Sequence, residues 1–182
     1  MLIVNCKAHP DYEFKTLQQI ADAQHSTPVD VYMQVVRDGG ATVVGRSMKE
    51  EDIRVFYEQP WVMVGSDGGI GVRHPRGAGT YPRILGRYVR ELHWLTLQEA
   101  VRKMTSLPAA RLRLKDRGLV KAGMKADLVL FDASRVIDRS TFQDPQQIAE
   151  GIEHVFVNGV EVWRGGAVTG AKPGKPLRRG SL

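Results

Sequence analysis

One stretch constrains this chain more than any other: Trp61 to Arg76, WVMVGSDGGIGVRHPR. Trp61–Val64 is a short apolar run with the length and composition of a buried strand. Gly65 ends it, and Ser66-Asp67-Gly68-Gly69 turns the backbone. A carboxylate is thus expected just past the C-terminal end of a strand, the edge where α/β sheets and barrels carry their active sites. The glycine-rich continuation, with Gly68, Gly69, Gly71, Gly77 and Gly79, bears His74-Pro75-Arg76. Ser-Asp-Gly-Gly is also ordinary turn chemistry, so the stretch alone leaves Asp67 two readings, turn former or site residue.

The elements before it read as strand, helix, strand, helix. Leu2–Cys6 predicts a strand and Lys7–Phe14 a loop. Thr16 caps a helix with Leu17, Ile20 and Ala21 on one face. Thr27-Pro28 opens another, with Val29, Tyr32, Met33 and Val36 as its apolar stripe and Gly39-Gly40 as its stop. Ala41–Val44 is a second strand. Ser47-Met48-Lys49-Glu50 is a capping box for a helix that buries Ile53, Phe56 and Tyr57 before Pro60. With Trp61–Val64 as the third strand, the rhythm is that of a parallel sheet.

After the glycine loop, Leu85, Tyr88, Val89 and Leu92 repeat at helical spacing behind Thr80 and Pro82. Thr96-Leu97-Gln98-Glu99 is a second capping box, opening a helix with Leu97, Ala100, Val101 and Met104. Pro108–Arg111 adds a turn. Near Gly118 the texture changes. Ala126–Phe131 reads as a strand, Ala133–Glu150 as irregular, and Asn158-Gly159 as a hairpin turn between Ile152–Val157 and Val160–Trp163, because both turn positions need positive φ. Residues 165–182 lack periodicity. A boundary near Gly118 therefore divides an α/β piece from a small β piece.

A net charge of +6 and a pI of 9.6 raise the question of nucleic acid. Arg73, Arg76, Arg83, Arg87 and Arg90 lie close in sequence, and Lys172, Lys175, Arg178 and Arg179 make a basic tail. No nucleic-acid motif or aromatic stacking platform accompanies them, so no nucleic-acid partner is expected. No apolar window approaches the ~18 residues of a membrane span, and Met1–Val4 lacks the basic lead of a signal peptide. The single cysteine, Cys6, excludes an internal disulfide framework and fits a cytoplasmic location.

Five segments in order, SDGG, HPRGAGTYPRILGRYVRE, LTLQEAVRKMTSLPAARLRL, DRGLVKAGMKADLVLFD and VFVNGVEVWRGGAVTGAKPGKPLRR, resemble the C-terminal part of N-acyl-D-amino-acid deacylases (D-aminoacylases) of the metal-dependent amidohydrolase superfamily. The resemblance is strongest from Trp61 to Arg179, and KAHPDYEFKTL extends it towards the start. KAGMKADLVLFD occurs across the whole superfamily, whereas the HPR, GTYPR and LGRYVRE order is more specific to the deacylases. The resemblance implies an α/β fold: residues 1–118 as the C-terminal portion of a (β/α)8 barrel, and residues 119–182 as part of a small β-sandwich with a basic tail. It implies zinc, amide hydrolysis and a small N-acyl-D-amino acid substrate. Asp67 matches the aspartate after the last barrel strand, which contacts the metal, takes a proton from zinc-activated water and returns it to the leaving nitrogen. Arg76 suits a substrate carboxylate, or else a structural ion pair. His74 either faces the substrate or is structural.

The family's histidine ligands have no counterpart here. His9, His25, His74, His93 and His154 show no His-x-His or His-Glu-x-x-His spacing, and Cys6 falls too late in the pattern to be the bridging cysteine. A whole barrel needs about 200 residues or more. The expectation is a C-terminal fragment of a larger enzyme, prone to self-association. The alternatives are a dihydroorotase- or dihydropyrimidinase-like cyclic-amide hydrolase, and a catalytically silent domain that binds a partner.

Overall fold

A computed structural model describes residues 1–45, 47–69 and 73–177. Gly71 of the glycine loop, and Arg178 and Arg179 of the basic tail, lie outside the described residues.

The first 45 residues form a two-stranded sheet covered by two helices. Strand β1 (Leu2–Asn5) leads through a short 3₁₀ turn (Pro10–Tyr12) to helices α1 (Leu17–Gln24) and α2 (Pro28–Arg37), then to strand β2 (Thr42–Val44). Thr16 caps α1 by accepting the Gln19 N–H at 3.2 Å, and Thr27 caps α2 through the Asp30 N–H at 3.2 Å. Gly39 and Gly40, at φ 104° and 82°, end α2 as expected. Ile3, Cys6, Tyr12, Ile20, Ala21, Val31 and Val35 make one core.

Two expectations fail here. The strands pair antiparallel, with Leu2 opposite Val44 and Ile3 opposite Val43. A single crossover helix returns the chain to a parallel start, whereas two successive helices reverse it once more. On α2, Val31 and Val35 face the core, while Val29, Tyr32, Met33 and Val36 lie outward. The helix carries apolar residues around more than half its circumference, so periodicity could not choose which stripe the sheet would take.

Helix α3 (Glu50–Tyr57) starts from Lys49, whose N–H donates to Asp52 Oδ2 at 3.1 Å. The predicted box beginning at Ser47 is therefore displaced by two residues. Ile53 and Tyr57 pack inward, but Phe56 is 61% exposed. Trp61–Val64 is not a strand; the segment is irregular, and it is tied to the chain that becomes α5 (Leu97–Met104) by Val64 N–H to Lys103 O at 3.1 Å and by the Lys103 ammonium to Val62 O at 3.0 Å. An apolar run becomes a strand only beside another strand's free edge, and none is aligned with it among the described residues.

Helix α4 (Arg76–Arg83) begins one turn earlier than the sequence predicts and carries Pro82 inside it. Proline leaves the helix one donor short. The chain continues as a π-helical segment (Ile84–Glu91), closed by Leu92 N–H to Arg87 O at 2.8 Å. Gly86 packs so closely on Val136 and Ile137 that a Cβ there would lie 2.5 Å from Val136 O. Helices α5 (Leu97–Met104) and α6 (Ser106–Leu112) follow. Thr96 caps α5 through the Glu99 N–H, while the Glu99 carboxylate turns to Arg102 instead of completing a box. Val64, Ile84, Leu85, Tyr88, Leu95, Ala100 and Val136 form the second core.

Strands β3 (Leu128–Phe131), β4 (Ile152–Val157), β5 (Val160–Arg164) and β6 (Ala167–Val168) make one antiparallel sheet in that order. Asn158 and Gly159 adopt φ 48° and 79°, as a two-residue hairpin turn requires. Arg90 Nη1 donates to Val136 O at 2.7 Å, and Arg83 pairs with the buried Asp138 at 2.9 Å. The π-helical segment and its approach are thus tied to the irregular stretch before β4. No helix among the described residues is long and apolar enough to cross a membrane.

Candidate active site

Local chemistry holds the Ser66–Gly69 turn against the start of α4. Ser66 Oγ donates to Arg76 O at 3.2 Å and accepts the Gly68 N–H at 3.0 Å. Gly68 has no room for a side chain, because a Cβ would stand 2.8 Å from Gly77 O. This fit leaves Asp67 at the tip of the turn, with its carboxylate largely in solvent. Arg76, the first residue of α4, reaches back, and its Nη2 lies 2.7 Å from Asp67 Oδ2. The two residues singled out in the sequence therefore meet directly.

His74 stands beside this pair. Its Nδ1 accepts the Arg76 N–H at 3.1 Å, which leaves Nε2 to carry the proton of the neutral ring. Phe142 contacts the imidazole edge-on, with centroids 5.2 Å apart. Partial burial pushes the His74 pKa down, the Arg76 charge pushes it further, and Asp67 opposes both. His74 is thereby biased towards a neutral hydrogen-bond donor.

Arg73 anchors the same loop from the other side. Its Nη1 donates to Val4 O at 3.0 Å and pairs with Glu13 Oε2 at 3.1 Å. The other Glu13 oxygen accepts the Cys6 N–H and the Asn5 side-chain amide. Two clefts open where these parts meet. One, of about 440 Å3, lies between β1, β2 and Arg73, His74 and Arg76. The other, of about 730 Å3, runs from His74 and Arg76 past Tyr57, Arg83 and Tyr88 to Phe142. Glu50, the first residue of α3, accepts two hydrogen bonds from Arg87 that hold its carboxyl below the usual range.

The other histidines serve elsewhere. His9 pairs with Asp38 and stacks on Tyr12, His93 contacts Val89 O, and His154 meets Glu161. His25 closes α1 in a left-handed conformation. Cys6 is buried. Among the described residues no three of His, Cys, Asp and Glu gather as a metal site would require.

Sequence reasoning missed Ser66 as a clamp, Arg73 as an anchor, and Lys103, which is fully buried on α5. Only Lys103 left a signal: it falls three residues after Ala100, on the face that α5 buries.

A profile of the amidohydrolase family matches residues 9–163. The D-aminoacylase of Alcaligenes xylosoxydans xylosoxydans is 39% identical over 98% of this chain and 37% of its own length. The N-acyl-D-glutamate deacylase of the same organism is 40% identical over 94% of this chain and 35% of its length. The crystal structure of an N-acyl-D-glutamate deacylase from Bordetella bronchiseptica, complexed with zinc and a phosphonate inhibitor that mimics the tetrahedral intermediate, superposes with a TM-score of 0.81 at 36% identity, covering 89% of this chain and 34% of that one. The chain thus spans little more than a third of the curated relatives it matches.

Proposed function

The chain belongs to the amidohydrolase family, and from that premise we propose that it carries the proton-handling and substrate-anchoring share of an N-acyl-D-amino-acid deacylase active site. The observation that carries this reading is the 2.7 Å pair between Asp67 and Arg76, the arginine of which lines both clefts. Asp67 takes a proton from the attacking water as its oxygen bonds to the acyl carbon, then gives it to the nitrogen as the C–N bond breaks. Arg76 has five N–H donors, so one edge of its guanidinium keeps Asp67 while the other takes the substrate carboxylate. In an α-amino acid, one carbon separates that carboxylate from the acylated nitrogen. An arginine touching both partners therefore brings the leaving nitrogen towards the proton carrier. His74 offers Nε2–H to the bound substrate.

The residues described here do not fit a zinc centre by themselves. A catalytic zinc takes three protein ligands, and this site offers the Asp67 carboxylate alone. Zinc in the whole enzyme would need its other ligands from further residues, with Asp67 the one candidate ligand in this site. Residues 1–118 would be barrel, and residues 119–182 would be the sheet of a small β-sandwich with its tail. The division would fall near Gly118, whose φ of 86° and closeness to Ala109 and Thr105 support a change of chain course there.

The test is enantiomer and ring preference in the enzyme that carries these residues. N-acetyl-D-amino acids should be hydrolysed and their L-enantiomers should not. Hydrolysis of dihydropyrimidine rings in preference to linear N-acyl-D-amino acids would sink the reading.

A further inference from the structure

Lys103 is the largest side chain with no exposed surface. Its ammonium donates to Gln59 O and, at 3.0 Å, to Val62 O, with Glu99 Oε1 at 3.6 Å. Its own carbonyl accepts the Val64 N–H at 3.1 Å. The neighbouring Arg102 donates through Nη2 to Pro60 O at 2.5 Å. One turn of α5 therefore grips residues 59–64 at four points, where a strand would use ladder bonds. Asp67 lies three residues beyond Val64. The chain is held again at Ser66, whose Oγ donates to the Arg76 carbonyl.

A methionine or leucine would fill the space that Lys103 occupies. It would take the donor from the Val62 carbonyl and leave the Gln59 carbonyl only the Val62 N–H at 3.2 Å, and carbonyls that lose a partner turn towards water. Residues 59–64 would then move, and Val64 would carry the move to the Ser66–Gly69 turn. We infer that Lys103 is a positioning residue for Asp67, its ammonium setting the register of residues 59–64 and through it the placement of the carboxylate. The inference rests on the proton-carrying role proposed above for Asp67.

A double-mutant cycle in the zinc-loaded enzyme that carries these residues tests it. Lys103→Met should lower kcat by about 30- to 100-fold, the scale of a roughly 1 Å misplacement, with KM within about threefold and a cooperative melt retained. In an Asp67→Asn background the same change should cost less than about threefold more, because its effect passes through a proton carrier already removed. Equal losses in both backgrounds, or a folded Lys103→Met enzyme within about threefold of normal kcat, overturn the inference while Asp67 stands. Near-normal kcat in Asp67→Asn alone overturns the Asp67 role itself. If Lys103→Met does not fold, Lys103→Gln, whose arm is one bond shorter and cannot hold both carbonyls as the ammonium does, is read in the same cycle with the same deciding outcomes.

Discussion

Arg76 Nη2 lies 2.7 Å from Asp67 Oδ2, across nine residues of chain and onto the first turn of α4. Both side chains are more than half exposed, so the pair adds little to stability. Its consequence is geometric: the carboxylate and the guanidinium are held together as one unit.

Asp67→Asn keeps the shape of the turn and removes the proposed proton carrier. In the enzyme that carries these residues, kcat should fall by about 100-fold or more, with KM changed little. Steady-state assays with an N-acetyl-D-amino acid check this, and a variant with near-normal kcat rules the role out.

Arg76→Lys replaces a planar fork with a point charge. KM should rise by about tenfold or more while kcat falls less. The unmutated enzyme supplies a second check, since substrate amides lacking the free carboxylate should react poorly. Equal kcat/KM for acid and amide would remove Arg76 as anchor.

Gly86→Ala places a methyl group 2.5 Å from Val136 O and 2.4 Å from the Ile137 side chain. The carbonyl belongs to a backbone held by Arg90, so it yields poorly. Urea denaturation should show a loss of about 1–3 kcal/mol. An unchanged midpoint would mean that this contact relaxes freely.

Glu161 is held down to about 2 by hydrogen bonds from Arg164 and His154. The unfolded chain binds a proton at this position near 4.5, the folded chain only near 2. Its contribution to stability is therefore complete above pH 4.5 and is lost as pH falls towards 2. Melting curves across that window should drop more steeply for the native chain than for Glu161→Gln. Parallel curves would contradict the assignment.

Residues 1–182 alone should self-associate and bind less than stoichiometric zinc. Tyr32, Met33 and Val36 on α2, with Phe56 and Trp61 nearer the second core, leave large apolar groups in water, and contiguous patches of that kind drive association. Light scattering should show oligomers, which Met33→Glu with Val36→Glu reduces without changing the circular dichroism spectrum. A monodisperse monomer with one tightly bound zinc would refute this.

What the sequence determined by itself is what nearest neighbours decide. Thr16, Thr27 and Thr96 cap helices through amides three residues away, and Asn158-Gly159 turns its hairpin through its own φ angles. The order of HPR, GTYPR and LGRYVRE also led to the right family, because motif order survives in the chain whatever the fold does with it. Asp67 and Arg76 were legible as chemistry, but not as a pair.

Tertiary structure decided whatever depends on distant partners. Trp61–Val64 is apolar enough for a strand, yet it lies irregular against α5, because a strand exists only beside another edge. β2 runs against β1 because two helices intervene, and α2 turns Val31 and Val35 inward although a second apolar stripe competed for that place. Lys103, a residue type that usually seeks water, is buried because Gln59 and Val62, more than forty positions earlier, turn their carbonyls to it. Caps and turns close over three or four residues and carry their own instructions. Strand pairing, helix facing and buried charge are settled only when segments far apart in sequence meet and exclude water together.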